Sequence, residues 1–201
     1  MTRRTRGSLA RGLGALLLCL SLLPCATLAD STSETIAKIK AAYLLNFLRF
    51  SEWPAESFSS RNSPITLCVL GRDTLGRTLD ATMQEQRVAG RLLQIVRLAG
   101  DSVDKPSSAI EQCHLVFISR SEAGRVDHIT ERLAGTNTLT IGEVGDFADH
   151  GAMLALNYED DRVIFYANPA AIRAGKVHLS SKILQLARIV PVRTGTKGAY
   201  D

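Results

Sequence analysis

The amino-acid sequence predicts an α/β fold, a three-layer sandwich with a mainly parallel sheet, helices on both faces and an antiparallel hairpin near the C-terminus. Short apolar segments rich in β-branched residues alternate with helical segments of about 12–14 residues, which is typical of βαβ units. Two further apolar segments then flank the polar turn "EDDR", as in a hairpin. A chain of 201 residues is long enough for one domain with a sizeable core.

The N-terminal segment has the three parts of a secretory signal peptide. Four arginines and no acid precede the apolar block "LGALLLCLSLLP", and Thr27 and Ala29 suit the −3 and −1 positions of a cleavage site. A retained membrane anchor is the alternative, but the block is too short to span a bilayer. Pro24 directly before Cys25 disfavours lipid attachment. We therefore expect residues 1–29 to be removed on export.

Removal of this segment balances the charge of the chain. Four of the 24 basic residues and none of the 20 acidic residues lie within residues 1–29. The mature chain therefore lacks the sustained positive field that binding to phosphates requires, and no basic stripe with interleaved aromatic residues is present. Nucleic acid is excluded as a partner on these grounds.

A long apolar helix is predicted at the start of the mature chain. Ser31 and Glu34 form a capping-box pattern, which predicts a helix from Thr32 to Phe50. The narrow polar edge of this helix consists of Lys38, Asn46 and Arg49. The broad cationic face of a membrane-surface helix is missing. Two interpretations remain: a core helix that packs on the sheet, with Trp53 pinning its end, or an exposed docking or dimerisation helix.

The strands and helices of the sandwich follow in order along the chain. The strands are predicted at "ITLCVLG", "RLLQIVRL", "CHLVFIS" and "TLTIGE". Asp73 is the predicted N-cap of the helix in "RDTLGRTLDATMQEQ", and Ser119 with Glu122 forms a second capping box before a helix that ends at Gly135. After the hairpin, Asn168 caps another short helix.

The C-terminal end is predicted to be helical and then irregular. "SSKILQLARIV" is the last predicted helix and ends before Pro191. The remaining residues, 192–201, are predicted to be a flexible tail. The domain boundaries that follow are 1–29 for the signal peptide, 30–191 for the α/β domain and 192–201 for the tail.

The mature chain keeps two cysteines, Cys68 and Cys113. An even number in an exported protein predicts a disulfide, and with two candidates the pairing is settled if the bond forms. Cys68 lies in the first predicted sheet strand and Cys113 begins the third. Neighbouring strands would bring the two within disulfide distance, which a sheet order of 2-1-3 provides.

Sequence motifs for catalysis or cofactor binding are missing. The chain has no G-x-G-x-x-G, no P-loop pattern and no G-x-S-x-G. The histidines of the mature chain are scattered, which favours surface or satisfied core positions over metal ligation. The acidic residues of the hairpin turn do not follow a calcium-loop pattern. The sequence thus predicts a protein that is not an enzyme and needs no cofactor or metal.

One place in the predicted fold could bind a small ligand. The carboxyl ends of parallel strands form the usual crevice of a doubly wound sheet. Arg72, Ser119 and Arg120 follow directly on two of these strands. The two arginines could receive a small anion or a zwitterion, or they could be solvated side chains without a ligand.

Several segments together resemble the YfiR family of periplasmic proteins, which is related to the haemin-storage regulator HmsC. These segments are "IKAAYLLNFLRFSEWP", "ITLCVLG", "CHLVFIS" and "VIFYANPAAIRAGKVHLSSKILQLARIV", and the resemblance extends over about residues 34–191. It implies an α/β sandwich that tends to dimerise. It also implies a repressor that holds the periplasmic sensor segment of an inner-membrane diguanylate cyclase in the off state and lowers cyclic-di-GMP and biofilm formation. An outer-membrane lipoprotein is a possible second partner.

The resemblance also implies roles for individual residues. Cys68 and Cys113 match the cysteine pair of the family. Alanine occupies the positions of a second disulfide found in some members, at Ala148 and Ala155. The partner surface of the family includes the segment after the hairpin. Asn168 and Ile172 match this surface, whereas Tyr166 and Ala174 differ from it in character.

Two functions are compatible with these observations. The first is a periplasmic regulator that binds a membrane signalling protein. The alternative is a periplasmic module that binds and senses a small molecule without a cyclase partner. An enzyme without a recognisable motif is the third and least favoured reading.

Overall fold

The computed structural model describes residues 27–105 and 109–191 of a chain that divides into two compact units, Met1–Ser33 and Glu34–Asp201. The helices are α1 (Thr27–Arg49), α2 (Gly76–Met83), α3 (Val126–Leu133), α4 (Pro169–Ala174) and α5 (Ser181–Leu184). The strands are β1 (Ser51–Glu52), β2 (Ile65–Leu70), β3 (Arg87–Val88), β4 (Arg91–Leu98), β5 (Leu115–Ile118), β6 (Leu139–Gly142), β7 (Leu154–Glu159), β8 (Arg162–Ala167), β9 (His178–Leu179) and β10 (Arg188–Ile189). The predicted signal peptide up to residue 26 and the tail 192–201 lie outside the described residues.

The main sheet has the order β10-β8-β7-β6-β5-β2-β4-β3. β4, β2, β5, β6 and β7 run parallel, and β8 pairs with β7 in the antiparallel direction. The β7–β8 hairpin turns at Asp160 and Asp161, whose φ angles of 49° and 57° suit a two-residue hairpin turn. The predicted fold class is confirmed. β2 lies between β4 and β5, as the predicted strand order required.

Two apolar layers sandwich the sheet. Side chains of α1 and α2 pack on one face, and α3 packs on the other face together with the short 3₁₀ segment Gly145–Ala148. β2 and β5 supply apolar side chains to both layers, since alternate residues of a strand point to opposite faces. The continuous apolar character of these strands follows from this double burial.

The first helix is a core helix, as one of the two interpretations predicted. Its fully buried side chains are Ala41, Leu44, Phe47 and Leu48. Ile39 and Phe50 stay 39% and 40% exposed on the outer side. The predicted cap at Ser31 is wrong, because α1 begins before it, at Thr27. Ser31 lies inside the continuous helix, and a residue inside a helix cannot be its N-cap.

The C-terminal helix was predicted too long. Helical geometry ends with α5 at Leu184, and β10 follows as a two-residue strand parallel to β8. Val190 is buried against the second apolar layer. The β-branched residues Ile189 and Val190 suit a strand, and the open edge of β8 supplies backbone partners, so tertiary pairing prevails over helix propensity.

Two further helices are shorter than predicted. α2 spans only Gly76–Met83 and its N-cap residue is Leu75, so the predicted cap at Asp73 is wrong. The Asp73 carboxylate accepts the N–H groups of Leu75 and Gly76 at 2.8 and 2.9 Å in the turn before the helix. Before α3, residues Arg120–Arg125 form a 3₁₀ helix. Ser119 therefore caps a 3₁₀ turn and not the predicted α-helix.

Candidate functional site

The carboxyl ends of β2, β5 and β6 meet around one buried carboxylate, Glu143. This side chain follows β6 and is only 4% exposed. Its oxygens accept hydrogen bonds from the Lys40 ammonium at 3.1 Å, the Thr74 hydroxyl at 2.5 Å and the Arg120 N–H at 2.8 Å. The Ser119 hydroxyl lies 3.3 Å from the second oxygen. Glu143 thus ties three strand-end loops to α1.

The protonation of Glu143 follows from these contacts. Burial raises the pKa of the carboxyl, but the donors from Arg120 and Thr74 and the charge of Lys40 outweigh burial, so that the pKa lies below its ordinary value. The carboxylate is therefore charged at neutral pH. The Lys40–Glu143 pair is a buried ion pair whose carboxylate accepts further hydrogen bonds from Thr74 and Arg120.

Ser119 belongs to the same network. Its hydroxyl donates to the Arg72 carbonyl at 2.7 Å, and its oxygen lies 3.4 Å from the Ser121 N–H. The Ser121 hydroxyl in turn accepts the Arg72 N–H at 2.9 Å. The side chain is fully buried, so its hydrogen-bonding capacity is directed inward. Ser119 holds the two strand-end loops together.

The two predicted arginines differ from Ser119. Arg72 and Arg120 are exposed, and their backbones are the parts that join the network. Within residues 27–105 and 109–191, neither guanidinium has an ion-pair or hydrogen-bond partner. The structure brings the three predicted residues to one edge around Glu143, and their role in ligand binding remains a prediction.

Sequence reasoning missed Lys40, the residue that links the first helix to this edge. Lys40 is 6% exposed and lies on the buried side of α1, beside Ala37, Ala41 and Leu44. A lone lysine at helical spacing within an apolar stripe is the signal that could have found it. Such a lysine requires a buried acidic partner, and Glu143 after a strand was a candidate.

At the amino ends of β2 and β5, opposite the Glu143 network, lies an aromatic cluster. The Trp53 indole N–H donates to the His114 carbonyl at 3.0 Å, and the His114 ring stacks on Phe58 with centroids 4.6 Å apart. His114 Nδ1 accepts the Thr66 N–H at 3.0 Å, so its proton lies on Nε2, which faces the Ser57 carbonyl at 3.2 Å. Burial lowers the pKa of His114, which keeps the ring neutral.

The predicted disulfide is present beside this cluster. Cys68 in β2 and Cys113, directly before β5, are bonded with a Cα–Cα distance of 5.8 Å. Both residues are buried in the layer beneath α3. The bond links two adjacent strands of the sheet, as the predicted strand order required.

Comparison with known proteins identifies the family. Residues 37–188 match the YfiR/HmsC-like family. The chain belongs to this family. The fold is also similar to the crystal structure of a conserved domain protein from Vibrio cholerae O1 biovar El Tor, with a TM-score of 0.56 and 9% sequence identity. The similarity covers 77% of this chain and 60% of that chain, and at this identity it supports the fold alone.

The partner surface predicted for this YfiR/HmsC-like protein lies at the start of α4. The Asn168 side chain accepts the N–H groups of Ala170 and Ala171 at 3.0 Å each and donates to the Ala148 carbonyl at 2.7 Å. Ile172 packs partly against the core. Both residues are half-buried, and their contact with a partner remains a prediction.

Other features of the YfiR/HmsC-like chain bear on its chemistry. Ala148 and Ala155, at which the resemblance predicts the positions of a second disulfide, are both fully buried in one apolar layer. Among the described residues, no three His, Cys, Asp or Glu side chains are grouped so that they could hold a metal ion. Over the same ranges, no helix has both the length and the apolar character to cross a bilayer.

Proposed function

We propose that this protein is a periplasmic regulator that binds the periplasmic sensor segment of an inner-membrane diguanylate cyclase and represses it. Repression lowers cyclic-di-GMP and biofilm formation. The observation that carries the proposal is the match of residues 37–188 to the YfiR/HmsC-like family. The signal-peptide pattern of residues 1–29 supports export to the periplasm.

The strand-end edge supports a binding function in preference to catalysis. Lys40, Ser119 and Glu143 are buried, and each of them is hydrogen-bonded to another part of the protein. A catalytic acid or base needs to reach a substrate, whereas these groups connect α1 to three loops. The edge therefore connects α1 with the loops that follow β2, β5 and β6.

The partners that we propose follow from the family. The cyclase segment binds at the surface that includes Asn168 and Ile172, and an outer-membrane lipoprotein competes for the regulator. A homodimer is the proposed resting form. Nucleic acid has no place in this scheme, because the mature chain is balanced in charge.

Deletion of the gene tests the proposal directly. We expect intracellular cyclic-di-GMP to rise in the deletion strain and to return to its initial level on complementation with the full chain. Complementation with the chain that lacks residues 1–29 is the matched control and should fail, since that product stays in the cytoplasm. An affinity-tagged full chain should capture an inner-membrane protein. Unchanged cyclic-di-GMP together with no captured membrane partner would refute the regulator function.

A second candidate function is the binding of a small anion or zwitterion at the strand-end edge. The observation in its favour is that Arg72 and Arg120 join the Glu143 network through their backbones, while their exposed guanidinium groups have no partner within the described ranges. A thermal-shift screen with citrate, phosphate and glutamate at millimolar concentration tests it. A shift that disappears in the Arg72→Gln/Arg120→Gln variant supports the site, and no shift with any of the three compounds excludes it.

A further inference from the structure

The outer edge of β4 is only partly covered. β3 pairs with its first two residues, and the Leu93 N–H reaches the Gln86 carbonyl at 3.3 Å, where the ladder ends. Backbone groups of alternate residues point to the same side of a strand, so those of Ile95 and Arg97 face outward as well. Among the described residues, no hydrogen bond reaches the backbone N–H or C=O of Ile95 or Arg97.

A groove lies beside this open edge, between β4 and α2. Its volume is about 540 Å³. The apolar side chains that line it are Ala81, Met83, Leu93 and Ile95. A strand edge next to a helix wall is the arrangement that takes up an extended polypeptide, since the edge binds its backbone and the groove receives every second side chain.

Opposite charges stand at the two ends of the groove. Arg77 lies at the end where the Arg97 guanidinium is already ion-paired with Asp73 and Asp80, so the unpaired charge at this end is that of Arg77. Glu85 lies at the other end, next to the residue that bonds Leu93. Both side chains are exposed, and neither has an ion-pair partner in the part of the chain that the structure describes.

The spacing of these two charges matches a strand. Arg97, which contacts the Gly76 carbonyl, and Leu93, which bonds Gln86, lie four residues apart in β4. Four residues of an extended chain cover about 13 Å, and residues i, i+2 and i+4 of a strand share one face. One strand could therefore place an acid at Arg77, an apolar side chain over the groove and a base at Glu85.

We propose that the β4 edge and its groove bind an extended segment of a partner protein by strand addition. The segment carries the pattern acidic-x-apolar-x-basic and runs antiparallel to β4, because antiparallel pairing is the more stable arrangement. In that direction its acidic residue meets Arg77 and its basic residue meets Glu85. The inference rests on the proposed function in assigning the segment to a signalling partner.

A blocked peptide of sequence Thr-Glu-Thr-Val-Thr-Lys-Thr tests the surface on the full-length protein. Its binding should slow amide hydrogen exchange at Ile95 and Arg97, while Gln94, whose backbone faces β2, keeps its rate. The isolated peptide is expected to bind weakly, with a dissociation constant below about 1 mM. No slowing at Ile95 and Arg97 up to that concentration would overturn the proposal.

Two sets of variants separate the groove from the charges. Ala81→Arg places a long side chain in the groove at an exposed helix position and should weaken binding by at least about tenfold. Ala42→Arg, at an exposed position of α1, is the matched control and should bind as the wild type does. The Arg77→Glu/Glu85→Arg variant should weaken the same peptide about three- to tenfold and prefer Thr-Lys-Thr-Val-Thr-Glu-Thr. An unchanged preference would refute the assignment of charges.

The remaining outcomes keep this proposal distinct from the proposed function. Protection of Ile95 and Arg97 that grows with protein concentration in the absence of peptide would assign the edge to a second copy of the chain and overturn the partner assignment. If gene deletion raises cyclic-di-GMP but the peptide does not bind, the regulator function stands and the β4 surface fails. If the peptide binds and deletion leaves cyclic-di-GMP unchanged, the surface stands and its assignment to a signalling partner fails.

Discussion

The two ends of the parallel sheet hold the first helix by different chemistry. At the carboxyl end, Lys40 of α1 meets Glu143 in a buried ion pair that two further donors complete, the Thr74 hydroxyl and the Arg120 N–H. At the amino end, Trp53 lies just beyond α1 and donates to the carbonyl of His114, whose neutral ring stacks on Phe58. The Lys40–Glu143 ion pair is strong only while every partner is present, whereas the Trp53 contact depends mainly on buried aromatic area.

This difference has consequences for how the protein responds to damage. Loss of one member of a buried ion pair leaves an uncompensated charge, so the response should be abrupt. Loss of an aromatic contact removes buried apolar area in proportion to the number of atoms deleted. The tolerance of each end to substitution and to pH therefore shows which chemistry stabilises the contact between α1 and the sheet.

The largest effect is expected from Glu143→Leu. The substitution leaves the Lys40 ammonium buried without its partner and should lower the free energy of unfolding by about 3–5 kcal/mol. Urea denaturation measures this change. The Lys40→Met/Glu143→Leu variant is the control and should recover most of the loss, because it removes both charges. A single-variant loss below about 1 kcal/mol would mean that Lys40 escapes to solvent.

Substitution of Trp53 should have a moderate effect. Trp53→Ala removes a partly buried ring and should lower the free energy of unfolding by about 2 kcal/mol, which corresponds to several degrees in Tm. Trp53→Phe keeps most of the ring, loses the hydrogen bond to His114 and should cost about 1 kcal/mol. Calorimetry distinguishes the two variants. Unchanged stability with lost partner binding would instead make Trp53 a docking residue.

Acid should weaken the two ends in different pH ranges. The folded-state pKa of His114 is lowered by burial, so the unfolded chain binds the proton first and stability falls as the pH drops below about 6.5. The folded-state pKa of Glu143 is also lowered, because its donors outweigh burial. Its contribution is complete above about pH 4.3 and is lost as the pH falls through its lowered folded-state pKa.

Stability curves measured against pH should therefore show two separate declines. His114→Gln should remove the first, and Glu143→Gln should reduce the second, to which Asp73 also contributes, while lowering stability at neutral pH. A wild-type curve that stays flat between about pH 6.5 and pH 5 would show that His114 is protonated in the folded protein.

The smallest effect is expected from the exposed arginines at the carboxyl end. Arg72→Gln and Arg120→Gln should each change the free energy of unfolding by less than about 0.5 kcal/mol, because the backbones of these residues, and not their guanidinium groups, join the Glu143 network. Thermal unfolding of both variants checks this. A loss as large as that of Glu143→Leu would show that charge outside the network also stabilises this end.

Sequence reasoning succeeded where a residue's neighbours along the chain decide its structure. Asn168 was identified as a cap because the amide groups that it binds lie two and three residues ahead. The strands were found because residues buried on both faces leave a continuous apolar run. The single disulfide followed from the count of two cysteines in the mature chain.

Sequence reasoning failed where a residue's structure depends on a contact with a residue far away in the sequence. The last predicted helix gave way to β10 because β8 offered an open edge, and no local signal announces such an edge. The cap at Ser31 was wrong because the helical segment extends further toward the N-terminus than the capping pattern indicated. Lys40 was overlooked because Glu143 lies 103 residues further along the chain.

The sequence by itself determined the α/β class and the pairing of the two cysteines. These depend on apolar periodicity, turn residues and composition, which are local properties of the chain. Only the tertiary structure decided that Glu143 and Lys40 occupy the strand-end edge and that β4 keeps part of its edge open. Both outcomes depend on which distant groups meet, because the energy of a buried charge or an unpaired backbone group is set by partners that the chain brings together only on folding.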